Sequence, residues 1–313
     1  MSKVAFVFPG QGSQTVGMCK AFYDEYAVAK RVFEEADEAL GFSITKMCFE
    51  GPESDLRLTY NTQPAILTAS TACAAVLKEK GIACDVAAGH SLGEYSALVN
   101  TGALAFADAV RIVRKRGQFM QEAVPVGEGS MAAVLGLESD KIVEICQAVE
   151  AEGGEAVQAV NFNCPGQVVI AGAVNAVNKA VEALKAAGAK RAVLLPVSAP
   201  FHSSLMQPAS ERLAEVLAPI EIKDITIPVV ANVTAKEVTS GAEIKELLVK
   251  QAAMPVLWET SVRNMVADGV DTFVEVGPGK VLTGFTKKIA KGLPALNIED
   301  PASLEKVLAH FEK

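Results

Sequence analysis

The sequence predicts an α/β protein with a mainly parallel sheet and a smaller domain inserted into the larger one. Two observations carry this prediction. Strand-like and helix-like patterns alternate along the chain, and one stretch departs from that rhythm with a complete βαββαβ pattern. Half of the 313 residues are apolar, so the chain can bury a core large enough for one big domain or two smaller ones.

The elements of the larger domain follow from apolar periodicity and from turn residues. Residues 4–8 are continuously apolar over the length of a strand, which is typical of a buried strand in a parallel sheet. By the same criteria the sequence predicts helices over 65–80, 94–100 and 108–121 and a strand over 85–88. It also predicts a strand over 272–276, which ends at Gly277-Pro278-Gly279 and is followed by a helix through Lys288.

The stretch with the βαββαβ pattern predicts a ferredoxin-like unit, in which two helices pack on four antiparallel strands. Its predicted elements are strands over 131–137, 156–161, 167–171 and 191–197, and helices over 139–152 and 174–187. Gly127, Gly129 and short loops at both ends suit an insertion. We therefore expect a discontinuous catalytic domain over 1–127 and 198–313, with an inserted domain over 128–197.

Charge, cysteine spacing and the lengths of apolar runs exclude several classes of protein. The formal net charge of −8 argues against general binding to nucleic acid or anionic membranes. The apolar run at 4–8 is too short for a signal peptide, and no stretch reaches the roughly 18 apolar residues of a membrane span. Six widely spaced cysteines indicate reduced, buried thiols rather than disulfides or a metal site. We expect a cytoplasmic protein without a bound metal.

Gly89-His90-Ser91-Leu92-Gly93 has the pattern of a nucleophile elbow, the turn that presents a catalytic serine between a strand and a helix. The predicted strand over 85–88 runs into the motif, and the predicted helix over 94–100 leaves it. Glycines permit the strained turn, and a helix N-terminus favours developing negative charge. The alternative is a glycine-rich turn in which Ser91 only caps the helix.

A nucleophilic serine needs a general base, and the chain has only three histidines. His90 adjoins the serine in the elbow, where its side chain diverges from the hydroxyl. His310 lies in the polar last turn of the chain and is expected on the surface. By elimination His202, in the loop after the inserted unit, is the predicted base, and a loop histidine without a function is the alternative.

Acyl transfer also needs donors for the oxyanion. The main-chain N–H of Leu92, directly after the nucleophile, is the natural first donor. The loop over 9–14, after the first strand, is the best candidate for the second. This loop resembles the start of a dinucleotide-binding fingerprint, but Thr15 stands in place of the third glycine, so cofactor binding is not expected.

Several blocks of sequence together resemble the malonyl-CoA:acyl carrier protein transacylase family, from Phe6 to about Lys288. The blocks, which recur in this order, are Phe8-Pro9-Gly10-Gln11-Gly12-Ser13-Gln14, Gly89-His90-Ser91-Leu92-Gly93-Glu94-Tyr95, Arg116-Gly117, Asn161-Phe162-Asn163-Cys164-Pro165-Gly166-Gln167, Phe201-His202, Ala231-Asn232-Val233 and Glu275-Val276-Gly277-Pro278-Gly279. The resemblance implies a hydrolase-like large domain with a ferredoxin-like insertion.

The resemblance also implies a ping-pong reaction. Ser91, activated by His202, would take the malonyl group from malonyl-CoA, and the phosphopantetheine thiol of acyl carrier protein would then take it from the serine. The main-chain amides of Gln11 and Leu92 match the family's oxyanion hole. A main-chain or amide acceptor at Gln251 would orient the histidine. No tightly bound cofactor is implied, since the coenzyme A thioester is the substrate.

Three further residues are expected to bind the substrate: Arg116, Phe201 and His90. Malonyl carries a free carboxylate, which the guanidinium fork of Arg116 could bind through two charge-assisted hydrogen bonds. Without the family match, Arg116 would be read as an exposed helix arginine.

In related acyltransferases, a bulky residue at the position of Phe201 accompanies malonyl rather than methylmalonyl units. Leu257 departs from the family, some members of which carry an arginine there, so no contact is assigned to that position.

Acyl carrier proteins are acidic, so docking on this acidic chain needs a local basic surface. The candidates are Lys185, Lys190 and Arg191 in the insertion, or Lys280, Lys287 and Lys288 near the C-terminus. Solvated charges without a partner are the alternative.

Three other functions stay open at this stage. A free-standing acyltransferase of a polyketide or polyunsaturated-fatty-acid assembly line would use the same chemistry with another carrier. A serine esterase would share the elbow but would need neither Arg116 nor a carrier surface. A catalytically silent binding subunit is disfavoured, because Ser91, His202, Gln11 and Gln251 are all present.

Overall fold

The computed structural model describes residues 2–197 and 199–312 of the chain. Its strands are β1 (Val4–Phe8), β2 (Val86–Gly89), β3 (Gly129–Leu135), β4 (Val157–Cys164), β5 (Gln167–Ala173), β6 (Arg191–Leu194), β7 (Val229–Val230), β8 (Glu237–Val238), β9 (Thr272–Val276) and β10 (Ala295–Ile298).

Helices connect most of these strands, and five helices lie between β1 and β2. The helices are α1 (Lys20–Glu25), α2 (Ala27–Leu40), α3 (Ile44–Glu50), α4 (Glu53–Leu56), α5 (Thr59–Glu79), α6 (Gly93–Asn100), α7 (Phe106–Glu122), α8 (Ser139–Gly153), α9 (Val174–Ala186), α10 (Gln207–Leu217), α11 (Gly241–Gln251), α12 (Trp258–Ala267), α13 (Val281–Ile289) and α14 (Pro301–Phe311).

The larger sheet has six strands in the order β10-β9-β1-β2-β7-β8. The first five lie parallel, and β8 runs antiparallel to β7 at one edge. Every residue of β1 and β9 is buried, because helices cover both faces of the sheet. Phe6 and Phe8 pack in the core that includes α5, α6 and α7, whereas Ala5 and Val7 pack in the core that includes α12 and α13.

The smaller sheet is antiparallel, with the order β4-β5-β3-β6. Helices α8 and α9 pack on one face of this sheet through a separate core, which completes the ferredoxin-like βαββαβ unit. Residues on its other face, Met131 and Val169 among them, pack in a cluster with Met120 of α7 and with Phe201. The small sheet therefore faces the segment that carries His202.

The fold class that the sequence predicts is confirmed, and the element bounds differ in a few places. The predicted strand over 191–197 ends at Leu194, because the chain turns there and Val197 N–H bonds the carbonyl of Leu195 at 2.8 Å. Strand β4 continues to Cys164 through two register shifts. The domain bounds stay a prediction, and Ser198, at the second of them, lies outside the described residues.

Helix α5 begins before Pro64 rather than after it, which corrects the predicted start of this helix at residue 65. A proline inside a helix leaves the carbonyl four residues earlier without its donor. Here that carbonyl belongs to Tyr60, and Nη1 of Arg114 donates to it at 3.2 Å. Gly117 lets α7 approach closely, since an added Cβ there would lie 2.6 Å from the Cα of Tyr60.

The six cysteines are buried, as predicted, and free. In the described part of the chain no helix is both long and apolar enough to cross a membrane. Nor do three or more His, Cys, Asp or Glu side chains among residues 2–197 and 199–312 come together in an arrangement that could hold a metal ion.

Candidate active site

A sharp turn between β2 and α6 presents Ser91. Its φ is 52°, in the left-handed region that side chains other than glycine rarely adopt. An added Cβ on Gly93 would lie 2.0 Å from the carbonyl oxygen of Phe8, and one on Gly89 would lie 1.9 Å from the carbonyl carbon of Gly93. Strand and helix approach so closely that only glycine fits at both positions, as a nucleophile elbow requires.

Two side chains from other elements hold this turn. Oδ1 of Asn232 accepts from the N–H of Ser91 at 2.7 Å, and its Nδ2 donates to the carbonyl of Gly89 at 2.6 Å. Nε2 of Gln251 donates to the carbonyl of Ser91 at 2.9 Å. Sequence reasoning gave Asn232 no role, although it lies in one of the blocks that resemble the family.

His202 lies within hydrogen-bond distance of the serine, with 2.7 Å between Nε2 and Oγ of Ser91. Its Nδ1 lies 2.8 Å from the carbonyl oxygen of Gln251. Because a carbonyl only accepts, Nδ1 carries the hydrogen and Nε2 is free to receive the proton of the serine. Burial, and then the charge of Arg116, lowers the pKa of His202 to about 3, so the ring is neutral near pH 7.

Gln251 acts on the site through two separate groups. Its main-chain carbonyl faces His202, whereas its side-chain amide binds Arg116 and Glu94. The resemblance left open a main-chain or an amide acceptor for the histidine, and the amide reading is wrong. The physical reason lies in the helix: α11 ends at Gln251, and the last carbonyls of a helix have no partner within it.

Arg116 is not an exposed helix residue, because only 1% of it is accessible to solvent. Nη2 donates to Oγ of Ser91 at 3.2 Å and to Oε1 of Gln251 at 2.8 Å, and Nη1 donates to Oε1 of Gln63 at 2.7 Å. The guanidinium also lies 5.5 Å from the ring centre of Tyr95. A fixed cation therefore stands beside Ser91. One of the side chains that hold it is Gln63, to which sequence reasoning gave no role.

The two expected oxyanion donors lie at the same cavity as Ser91. Gln11, in the loop after β1, and Leu92, directly before α6, both line it. Among the described residues, their main-chain N–H groups find no acceptor. Two unpaired N–H groups at the cavity that holds a nucleophile are suited to bind a developing oxyanion.

The cavity has a volume of about 130 Å³ and is lined by side chains from both domains. Phe201 forms part of its wall and is 9% exposed. His90 also lines it, and Nε2 of His90 lies 2.8 Å from Oδ1 of Asn163. The structure thus brings all eight predicted site residues together, at the cavity or directly behind it: Gln11, His90, Ser91, Leu92, Arg116, Phe201, His202 and Gln251.

A buried carboxylate also lies behind the nucleophile, and sequence reasoning assigned it no role. Glu94, in the first turn of α6, is 3% exposed. Oε2 of Glu94 accepts from Nε2 of Gln251 at 2.8 Å and from the N–H of Asn232 at 3.2 Å. Glu94 stands in the elbow block that the sequence singled out, but nothing in the spacing indicates that it faces inward.

The chain is similar to known proteins over nearly its whole length. The profile of a family described as acyl transferase domain matches residues 5–307. The malonyl CoA-acyl carrier protein transacylase of Bacillus subtilis is 52% identical over 305 residues, which are 97% of this chain and 96% of the relative.

Solved structures agree as closely. An acyl carrier protein S-malonyltransferase from Vibrio cholerae superposes with a TM-score of 0.95 at 49% identity, over 98% of this chain and 100% of that one. A malonyl-transacylase solved in complex with its type II PKS acyl-carrier protein gives a TM-score of 0.96 at 47% identity, over 99% of this chain and 100% of that one.

Proposed function

Because this chain belongs to the acyl transferase domain family, we propose that it transfers the malonyl group from malonyl-CoA to the phosphopantetheine thiol of acyl carrier protein. The transfer supplies extender units for fatty-acid synthesis. One observation carries the proposal: a buried guanidinium, that of Arg116, stands 3.2 Å from the Oγ of a serine that also faces a neutral histidine. A site of this kind suits an acyl group that carries its own negative charge.

In the first half-reaction, Oγ of Ser91 attacks the thioester carbonyl of malonyl-CoA while Nε2 of His202 takes the hydroxyl proton. The oxygen of the tetrahedral intermediate accepts from the N–H groups of Gln11 and Leu92. The carbon–sulfur bond then breaks, and the coenzyme A sulfur takes the proton from His202. The products are malonyl-Ser91 and free coenzyme A.

The second half-reaction uses the same groups in the opposite sense. The phosphopantetheine thiol gives its proton to Nε2 of His202 and attacks the ester carbonyl, with the same two N–H groups on the oxyanion. The ester bond to Ser91 breaks, and Oγ recovers its proton from His202. The carbonyl of Gln251 holds Nδ1–H in both steps, so the imidazole returns to one tautomer after each transfer.

Arg116 selects the substrate. One Nη2 hydrogen and one Nη1 hydrogen bind the glutamine oxygens of Gln251 and Gln63. The second Nη1 hydrogen, and the second Nη2 hydrogen once it leaves Oγ of Ser91, can then bind the malonyl carboxylate. A bidentate pair of this kind is not available to an acetyl group. Phe201 narrows the cavity and therefore favours malonyl over the branched methylmalonyl unit.

No metal and no tightly bound cofactor enters these steps, since site residues handle each proton and charge. We propose that the enzyme works in the cytoplasm. A second candidate function is malonyl transfer to the carrier of a polyketide assembly line, because a transacylase that is 47% identical was solved with such a carrier. Rates measured side by side with a fatty-acid carrier and a polyketide carrier separate the two.

Mass spectrometry after incubation with malonyl-CoA tests the proposal. A malonyl adduct should form on Ser91, disappear when acyl carrier protein is added, and reappear as malonyl on the carrier. Ser91→Ala should give no adduct. A reaction that releases free malonate without loading the carrier would instead identify a serine esterase, and the absence of any adduct in the wild type would reject covalent catalysis at Ser91.

A further inference from the structure

The steps above leave Glu94 without a role, although this carboxylate is buried directly behind the nucleophile. Its Oε2 joins two residues from other parts of the chain: Gln251, at the end of α11, and Asn232, in the loop after β7. Both of these residues hold Ser91: Gln251 donates to the carbonyl of Ser91, and Asn232 accepts from the N–H of Ser91. The carboxylate of Glu94 therefore forms no hydrogen bond to Ser91 or His202, but it binds the two residues that hold Ser91.

The side-chain amide of Gln251 lies between acceptors on one side and a donor on the other. Its Nε2 donates to Oε2 of Glu94 at 2.8 Å and to the carbonyl of Ser91 at 2.9 Å. Its Oε1 accepts from Nη2 of Arg116 at 2.8 Å. Turned by 180°, the amide would set its oxygen against a carboxylate and a carbonyl, and its NH₂ group against a guanidinium. Glu94, together with the carbonyl of Ser91 and the guanidinium of Arg116, thus determines which way the amide faces.

Charge supports the same conclusion. Arg116 and Glu94 are both buried, at 1% and 3% exposure, and one amide links them. A buried cation without a nearby anion is costly, so the carboxylate compensates the guanidinium in the absence of substrate. Burial raises the pKa of Glu94 to about 7, while hydrogen bonds from Gln251 and Asn232 and the charge of Arg116 act in the opposite direction.

We propose that Glu94 is a positioning residue for substrate selection: through Gln251 it orients the guanidinium of Arg116 toward the malonyl carboxylate. The inference rests on the proposed function. Beyond that function, we expect the preference for a carboxylated acyl group to depend on the hydrogen-bond acceptor of Glu94, although Glu94 does not contact the substrate. A residue that only stabilised the fold would affect all acyl groups alike.

The test compares kcat/KM for malonyl-CoA with kcat/KM for acetyl-CoA in three proteins. Glu94→Met keeps the volume of the side chain and removes the acceptor, and its malonyl-to-acetyl ratio should fall about 10-fold, the effect of losing one hydrogen bond to a charged group. Glu94→Gln restores an acceptor oxygen, and its ratio should stay within about 3-fold of the wild type.

Glu275→Gln is the matched control, because Glu275 is another fully buried carboxylate, with partners at the start of α13. Its ratio should equal that of the wild type. A wild-type ratio in folded Glu94→Met overturns the inference. If that variant does not fold, Glu94→Asp, which retracts the carboxylate, must lower the ratio; an unchanged ratio there also overturns it.

Different results would reject the proposed function and the role of Glu94. If the wild type forms no malonyl-Ser91 and loads no carrier, the proposed function fails, whatever the variants do. If the wild type does both while Glu94→Met keeps its ratio, only the role of Glu94 fails.

Discussion

The guanidinium of Arg116 donates from Nη2 to Oγ of Ser91 over 3.2 Å, although the two residues lie in different helix–turn units. Because Oγ accepts this bond, its own hydrogen is left for Nε2 of His202, 2.7 Å away. One cation therefore orients the free nucleophile, and in the acyl-enzyme it can turn to the carboxylate of the acyl group. This arrangement, and the packing that maintains it, should respond to single substitutions in predictable ways.

Replacing Arg116 by alanine should abolish selectivity for malonyl. We expect kcat/KM for malonyl-CoA to fall at least about 100-fold, because a buried charge-assisted pair is lost, while acetyl transfer gains relative to it. Arg111→Ala is the matched control, since Arg111 lies on the same helix with its side chain exposed. Malonyl kinetics that match the wild type in Arg116→Ala would remove this residue from the site.

The pH profile of the first half-reaction should lack the acid limb of an ordinary histidine. With a pKa of about 3, His202 stays neutral from about pH 8 to about pH 5. Between these pH values kcat/KM should therefore change by no more than about 2-fold. An exposed histidine, with a pKa of about 6.5, would lose roughly 30-fold by pH 5. Stopped-flow measurement of coenzyme A release checks this.

Glu94 must be separated from His202 in that profile, because the pKa of Glu94 is about 7. The profile is therefore repeated with Glu94→Gln. A limb near pH 6.5 that persists in this variant belongs to the histidine, and it contradicts the lowered pKa.

Phe201 should keep branched acyl groups out. In competition between malonyl-CoA and methylmalonyl-CoA, we expect the wild type to load malonyl. In Phe201→Ser, methylmalonyl should gain about 10-fold relative to malonyl, because one methyl group in an apolar pocket changes selectivity by roughly 1–3 kcal/mol. Mass spectrometry of the loaded carrier gives both ratios. A wild type that prefers methylmalonyl refutes the assignment.

Patterns along the chain were sufficient to predict the two-sheet fold and the pairing of Ser91 with His202. The elbow motif is a pattern of five consecutive residues, and His202 follows from the scarcity of histidines. Both are local or compositional signals. The strand over 272–276 was predicted at its observed bounds, since its apolar run ends at a glycine–proline turn.

What the sequence did not indicate depends on contacts between distant segments. Asn232, Glu94 and Gln63 are polar residues whose burial becomes visible only when α5, α6 and the loop after β7 come together. The choice between the amide and the carbonyl of Gln251 depends on where α11 ends. The start of α5 was missed because the arginine that satisfies the carbonyl of Tyr60 lies on another helix.

Replacing Gly117, the neighbour of Arg116, should lower both stability and malonyl transfer, for a steric reason. An added Cβ would lie 2.6 Å from the Cα of Tyr60 and 2.8 Å from the carbonyl oxygen of Thr59, so Gly117→Ala must push α7 away from α5. Overpacking of this kind costs about 1–3 kcal/mol of unfolding free energy. Displacement of Arg116 should also lower kcat/KM for malonyl-CoA, by about 10-fold or more, since small misplacements are costly.

Gly284→Ala is the control for this variant. A Cβ there would meet nothing within 4 Å, and Gly284 lies inside α13. Alanine favours a helix over glycine by up to about 1 kcal/mol, so this variant should be neutral or slightly more stable. Thermal unfolding and steady-state kinetics compare the two, and a Gly117→Ala protein with wild-type stability and rate would show that the helices can separate without consequence.

Docking of the acidic carrier should depend on basic residues near the cavity mouth. Lys280 and Lys287 line one groove with Lys306, and the residue after Lys280, Val281, lines a second cavity that shares Gln11 with the first. On the inserted domain, Lys190 and Arg191 are exposed and precede Leu195, which lines both cavities. Lys280 therefore directly precedes a cavity residue, and Arg191 begins the strand that leads to another.

Charge reversal should weaken carrier binding at either group without weakening malonyl-CoA binding. We expect Lys280→Glu with Lys287→Glu, and Lys190→Glu with Arg191→Glu, each to raise KM for the carrier about 5-fold or more at low ionic strength, with the effect shrinking as salt screens it. Lys78→Glu with Lys80→Glu is the control, because the end of α5 precedes the N-terminal end of β2, whereas Ser91 follows the C-terminal end of that strand. A pair whose KM for the carrier equals that of this control does not belong to the docking surface.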